Sequence, residues 1–129
     1  MTSSPTELVI CTTCRPAGTS REDTPAGQLL LAAVQTRLEA EPDGGLHVRG
    51  MACLSACSRA CTVALQARGK HTYVFGDLVP DAASVEQVLA CARLHRDSGD
   101  GLLAWGARPE KLRRGVIARL LPLQALDGI

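Results

Sequence analysis

The sequence predicts an α/β fold: a small mixed sheet with helices packed on it. Three observations point there. Short apolar runs alternate with segments of helical periodicity. A helical segment separates the first two strand-like runs, which calls for a right-handed parallel crossover. Further on, two strand-like runs flank the turn Arg68-Gly69-Lys70, a hairpin that adds antiparallel strands.

Leu8-Val9-Ile10 is a short apolar run that ends directly at Cys11, as a buried strand would. Residues Arg15 to Pro25 mix Pro, Gly, Thr, Ser and charges and read as a loop. The spacing predicts a helix from near Ala26 to Ala40: Leu30, Val34 and Leu38 recur every four residues and Leu31 widens the apolar face. Pro42-Asp43-Gly44-Gly45 ends it. Leu46-His47-Val48-Arg49 alternates apolar and polar, as a half-buried strand does. Gly50 to Cys61 is a cysteine-rich connection, and Thr62 to Ala67 reads as a strand with Val63 and Leu65 on one face. Thr72-Tyr73-Val74-Phe75 is the returning strand, closed by Gly76-Asp77. A second helix starts at Asp81 or Ser84, both good N-caps, behind Pro80. Val85, Val88, Leu89 and Ala92 mark its buried stripe. Asp97 to Gly101 breaks the pattern, and Pro109 to Leu121 reads as a further helix, with Leu112, Val116 and Leu120 in register.

At 129 residues the chain fits one domain, residues 1–129, with 98–129 as a C-terminal extension. It is 46% hydrophobic and 21% charged, as ordinary globular proteins are. The net charge of +1 and the lack of a long basic run give no electrostatic case for nucleic acid. Three aromatic residues, Tyr73, Phe75 and Trp105, are too few for a base-stacking platform. No apolar stretch is long enough to span a membrane. Met1 to Glu7 lacks the basic and apolar regions of a secretory signal, so the expected compartment is a reducing cytoplasm. Six cysteines there argue for metal or redox chemistry rather than a disulfide framework. The low charge bias and the apolar stretches Leu102-Leu103-Ala104-Trp105 and Val116 to Leu123 suggest a homodimer surface.

The cysteines carry the functional argument. Cys11-Thr12-Thr13-Cys14 stands where the first strand ends; two thiolates at that spacing grip one ion when a tight turn brings their sulfurs together. Cys53 and Cys57 follow the second strand, and Cys61 continues the series at the same interval. If strands one and two are parallel neighbours, both pairs converge beyond one edge of the sheet. Cys91 stands alone beside the apolar stripe of the second helix and reads as core packing. Four thiolates suit tetrahedral zinc as well as an iron–sulfur cluster, and counting does not separate them. A thioredoxin-type dithiol is a rival, since C-x-x-C near a βαβ unit invites it. It requires a helix N-terminus at the thiolate, whereas a loop separates Cys14 from the helix, and no proline lies between Pro42 and Pro80. A radical-SAM motif fails on spacing, because Cys53, Cys57 and Cys61 read C-x3-C-x3-C. His47, His71 and His95 are scattered and read as solvent-facing or half-buried.

From Met51 to about Leu94 the chain resembles the thioredoxin-like [2Fe-2S] ferredoxins. The residues that carry the resemblance are the run from Cys53 to Leu65, then Gly69, Tyr73-Val74-Phe75-Gly76, Pro80 and the helix Ser84 to Leu94. More closely, the whole chain resembles a family of small metal-binding proteins of unknown function, some of whose members are found near cobalamin-related genes. The resemblance implies a thioredoxin-like fold of the ferredoxin type. It also implies electron transfer without enzymatic activity, and a [2Fe-2S] cluster held by Cys11, Cys14, Cys53 and Cys57. All-cysteine clusters of the plant type lie at about −400 mV, so a low potential is expected. Two departures stand out: ferredoxins of this fold space their first two ligands much further apart than Cys11 and Cys14, and Cys61-Thr62 replaces their Gly-Pro. Cys61 is therefore an alternative ligand. The alternative function is a thiolate site for zinc or cobalt, for metal handling or cobalamin-related metabolism. Arg15, Arg49 and Arg59, near the ligands in sequence, either offset cluster charge or guide docking to an acidic redox partner protein, or are plain solvated surface.

Overall fold

The computed structural model describes residues 5–123, apart from the side chain of Cys57. Five strands form one mixed sheet: β1 (Thr6–Cys11), β2 (Leu46–Met51), β3 (Val63–Gln66), β4 (Thr72–Phe75) and β5 (Val116–Leu120), in the order β2-β1-β3-β4-β5. β1 and β2 are parallel, with Thr6 opposite Leu46 and Cys11 opposite Met51. The remaining pairs are antiparallel. The parallel neighbours and the hairpin are therefore as the sequence predicts.

Side-chain alternation puts Leu8 and Ile10, Val63 and Leu65, Tyr73 and Phe75 on one face of the sheet. Helices α1 (Ala26–Ala40) and α2 (Ala82–Asp97) cover that face and touch each other. Leu30 and Val34 of α1 meet Val85, Val88, Leu89 and Ala92 of α2 in the core, where all are buried. On the opposite face Val9, Ala64 and Val74 lie beside polar side chains, where Glu7 pairs with Arg49 at 2.9 Å and accepts from Gln66 at 2.6 Å.

Asp81 caps α2, its carboxylate accepting the Ser84 N–H at 2.8 Å, a contact worth about 1 kcal/mol. At the other end of α2, Lys70 Nζ donates to the carbonyls of His95 and Arg96. These are two of the acceptors that a helix C-terminus leaves open. His95 is not half-buried but fully so, its ring bridging Thr6 Oγ1 and the His71 carbonyl at 2.7 Å each.

The tail departs from expectation. Helix α3 runs only over Glu110–Arg114, and the predicted helix to Leu121 is instead strand β5. Gly115 ends the helix, and the β-branched pair Val116-Ile117 fits a strand. An open edge on β4 supplies the hydrogen bonds that a helix would have made internally. Among the described residues no helix is long and apolar enough to cross a membrane.

Candidate metal centre

The parallel pairing brings the loops after β1 and β2 out of the same edge of the sheet. The ladder continues past the strands, with the Thr12 N–H donating to Met51 O at 2.9 Å and the Cys11 N–H to Thr62 O at 3.0 Å. Cys11, Cys14 and Cys61 are buried, with 2%, 3% and 0% exposure.

The first pair is held from behind by α1. Arg15 Nη1 donates to Ser20 O at 2.8 Å and Asp23 O at 2.6 Å, folding the 15–25 loop back on itself. The loop delivers the start of α1 onto the pair: the Gly27 N–H donates to Cys14 O at 3.2 Å. A Cβ on Gly27 would lie 1.8 Å from Cys11 O and 3.2 Å from Cys14 Cβ, so only glycine fits. The sequence separation that argued against a helix N-terminus beside this pair is therefore bridged in space.

The second loop reaches the same place. Cys53 and Ser55 take left-handed backbone, with φ of 71° and 61°. The backbone of Leu54, between them, favours the Cys11 thiolate. Cys53 is itself exposed, and its sulfur accepts the Ser55 N–H at 3.3 Å. Cys57 opens a short 3₁₀ turn ending at Arg59; its side chain lies outside the described residues. The Ala60–Cys61 peptide bond is cis. Cys61 is then pinned by mutual backbone bonds with Leu78, at 2.9 and 3.2 Å.

The thiols of Cys11, Cys14 and Cys61 influence one another's ionisation. Burial alone would push the Cys11 thiol up; hydrogen bonds from Cys14, the Leu54 backbone and Thr13 outweigh it and bring it down to about 7. Burial, the shared hydrogen bond with Cys11 and its charge push Cys14 up to about 11, partly opposed by the backbone and side chain of Thr62. Burial, then the charges of Cys14 and Cys11, push Cys61 up to about 11. One thiolate is thus favoured near neutrality, and a second or third needs a cation beside it. This donor set, soft sulfur with one thiolate favoured near neutrality, fits zinc or an iron–sulfur cluster. Among the described residues, no three Cys, His, Asp or Glu side chains are grouped so as to hold a metal ion.

The three arginines near the cysteines are engaged within the chain. Arg15 holds its loop, Arg49 pairs with Glu7, and Arg59 is forked onto Asp77 at 2.6–3.0 Å. Sequence reasoning missed Gly27, Leu54 and Thr62. A glycine just inside a helix start costs propensity, and that cost is the one signal that marks Gly27.

Solved structures share this architecture. A thioredoxin-like [2Fe-2S] ferredoxin from Aquifex aeolicus superposes with a TM-score of 0.57 at 17% identity, over 91% of this chain and 94% of that one. A second structure of the wild-type ferredoxin gives 0.54 at 16% identity, over 90% and 99%. The fold is thus thioredoxin-like, of the ferredoxin type. No curated protein matches the sequence. The family profile described as "protein of unknown function (DUF1636)" matches residues 8–122.

Proposed function

The chain belongs to this family of unknown function, and on that premise we propose that it is an electron-transfer protein carrying a [2Fe-2S] cluster on Cys11, Cys14, Cys53 and Cys57, with Cys61 as the alternative fourth ligand. The observation that carries the reading is the parallel pairing of β1 with β2, which brings the Cys11–Cys14 turn and the Cys53 loop out of one edge of the sheet. It does so on a fold shared with [2Fe-2S] ferredoxins.

When bound, the cluster supplies reversible one-electron chemistry at low potential. The chain's own residues hold and tune it. The backbones of Leu54, Thr13 and Thr62 favour negative sulfur at Cys11 or Cys14, which raises the potential relative to bare thiolates. Burial of Cys11, Cys14 and Cys61 keeps water from those sulfurs and opposes extra negative charge. Gly27 fixes the back of the first pair. Closing the site requires the 52–60 loop to turn Cys53 inward. The carrier is not an enzyme in this reading, and its place is the cytoplasm, where thiols stay reduced.

A second reading is zinc or cobalt handling, favoured by the exposed Cys53, since a ligand open to solvent is where a metal is received or passed on. Anaerobic purification separates the two: an iron–sulfur protein is brown with visible charge-transfer bands, and a zinc protein is colourless.

A further inference from the structure

Residues 102–123 hold five cations, Arg108, Lys111, Arg113, Arg114 and Arg119, and a single acid, Glu110. The fold carries three of the cations to the cysteine edge. β5 begins beside the end of β4, the edge from which the cysteine loops emerge after β1 and β2. Helix α3 sets Lys111, Arg113 and Arg114 just before that point. The junction is tight. The Gly76 N–H donates to Gly115 O at 2.8 Å, and a Cβ on Gly76 would come within 2.6 Å of Arg59 O. One glycine therefore separates the basic turn from the loop that carries Cys57 and Cys61.

These cations differ from the arginines closer to the cysteines in sequence. Arg49 and Arg59 are neutralised by Glu7 and Asp77. Among the described residues, Lys111, Arg113 and Arg114 form no ion pair with a carboxylate. Arg114 is exposed. Arg113 is held rigid by bonds to the carbonyls of Arg108 and Gly106, and it stacks 5.1 Å above the ring of Trp105, which is 58% exposed. A preorganised Arg–Trp pair within unpaired positive charge is the composition of a protein-binding hot spot.

We propose that Lys111, Arg113, Arg114 and Trp105 form the docking surface for an acidic redox protein that exchanges one electron with the centre at the cysteine edge. The proposal rests on the electron-transfer reading above. In the exchange one electron leaves the reduced member and enters the oxidised one, with no bond made or broken. Nucleic acid is disfavoured because Tyr73 and Phe75 are buried, which leaves Trp105 alone to stack on bases. A membrane is disfavoured because α3 spans five residues, too few for an apolar face of useful area.

The single tryptophan reports on this surface without any metal. The full chain is titrated with a glutamate-rich oligopeptide, a single-stranded oligonucleotide and anionic phosphatidylglycerol vesicles, following Trp105 emission. The oligopeptide is expected to give a saturable change, with affinity falling about tenfold between low salt and about 0.5 M salt. Arg114→Glu weakens it severalfold and Lys111→Glu with Arg114→Glu abolishes it, while circular dichroism stays that of the wild type. Arg68→Glu, at the opposite sheet edge, leaves it unchanged. No saturable response at low salt, equal loss in Arg68→Glu, or tighter binding of oligonucleotide or vesicles overturns the proposal. A chain that binds the oligopeptide but purifies without iron and sulfide refutes the redox identity of the partner and the electron-transfer reading, with the acidic surface preference intact. A [2Fe-2S] chain blind to the oligopeptide refutes the docking surface alone.

Discussion

Gly27 lies against the carbonyl of Cys11, so close that a Cβ on Gly27 would sit 1.8 Å from the oxygen. In an ordinary helix Gly→Ala stabilises by about 1 kcal/mol. Here the contact is with backbone that cannot rotate away, so Gly27→Ala is expected to destabilise the metal-free chain by about 2–4 kcal/mol. Urea denaturation measures it; a neutral or stabilising substitution contradicts the packing of α1 on the cysteine turn.

The six cysteines divide by role. Serine at Cys11, Cys53 or Cys57 is expected to abolish or spectrally alter the centre, because each removes a thiolate that the metal neutralises. Cys14→Ser and Cys61→Ser decide the fourth ligand: the one whose loss disrupts the centre is bound, and the other leaves a small spectral change. Cys91 is fully buried and its thiol is pushed up to about 12 by burial, so it packs as a neutral apolar group. Cys91→Ser should keep full metal content and lose about 1–3 kcal/mol of stability. Full metal content and an unchanged spectrum in both Cys53→Ser and Cys57→Ser contradict the ligand set.

His95 makes the fold acid-sensitive. Its buried ring gives Nε2–H to the His71 carbonyl and takes the Thr6 hydroxyl at Nδ1, the neutral tautomer that satisfies both. Burial holds its pKa below the ordinary 6.5, partly opposed by the His71 bond and reinforced by the nearby Lys70 charge. The unfolded chain therefore binds the proton first. The stabilisation is complete above pH about 6.5 and is lost as pH falls below it, at up to about 1.4 kcal/mol per pH unit. Urea midpoints at pH about 7.5 and about 5.5 should differ accordingly, and His95→Asn should remove that part of the difference. An unchanged slope in the variant contradicts it.

Leu120, Leu121 and Leu123 are exposed at the far end of β5, with 60%, 82% and 92% of their surface open, and β5 is an edge strand. An apolar edge of this kind pairs readily with a second copy. Sedimentation at micromolar concentration is expected to show a homodimer that Leu120→Lys with Leu121→Lys converts to monomer; a wild-type monomer rejects it.

Local chemistry was readable where neighbours in sequence decide the outcome. The four-residue spacing of Leu30 and Val34, the cap at Asp81 and the Arg68-Gly69-Lys70 turn each act within one element, and the structure follows them. The tail misleads because Leu112, Val116 and Leu120 keep helical spacing while the free edge of β4 captures the segment. At the cysteine edge, the convergence of the loops after β1 and β2 follows from parallel pairing and could be read in advance. The roles of Gly27 and Thr62 could not, because they depend on how the 15–25 loop folds back and on Thr62 lying against Cys14. The basic turn at Lys111 to Arg114 was hidden likewise, since only the sheet order brings it beside the cysteines.

The central claim is that the converging cysteine loops hold a [2Fe-2S] cluster. Iron and acid-labile sulfide analysis of the anaerobically purified chain, with visible and EPR spectra before and after dithionite, tests it most directly. The account predicts a brown protein with two irons and two sulfides per chain, EPR-silent when oxidised and paramagnetic after one-electron reduction. A colourless protein with stoichiometric zinc, or one with no bound metal after anaerobic purification and reconstitution, contradicts it.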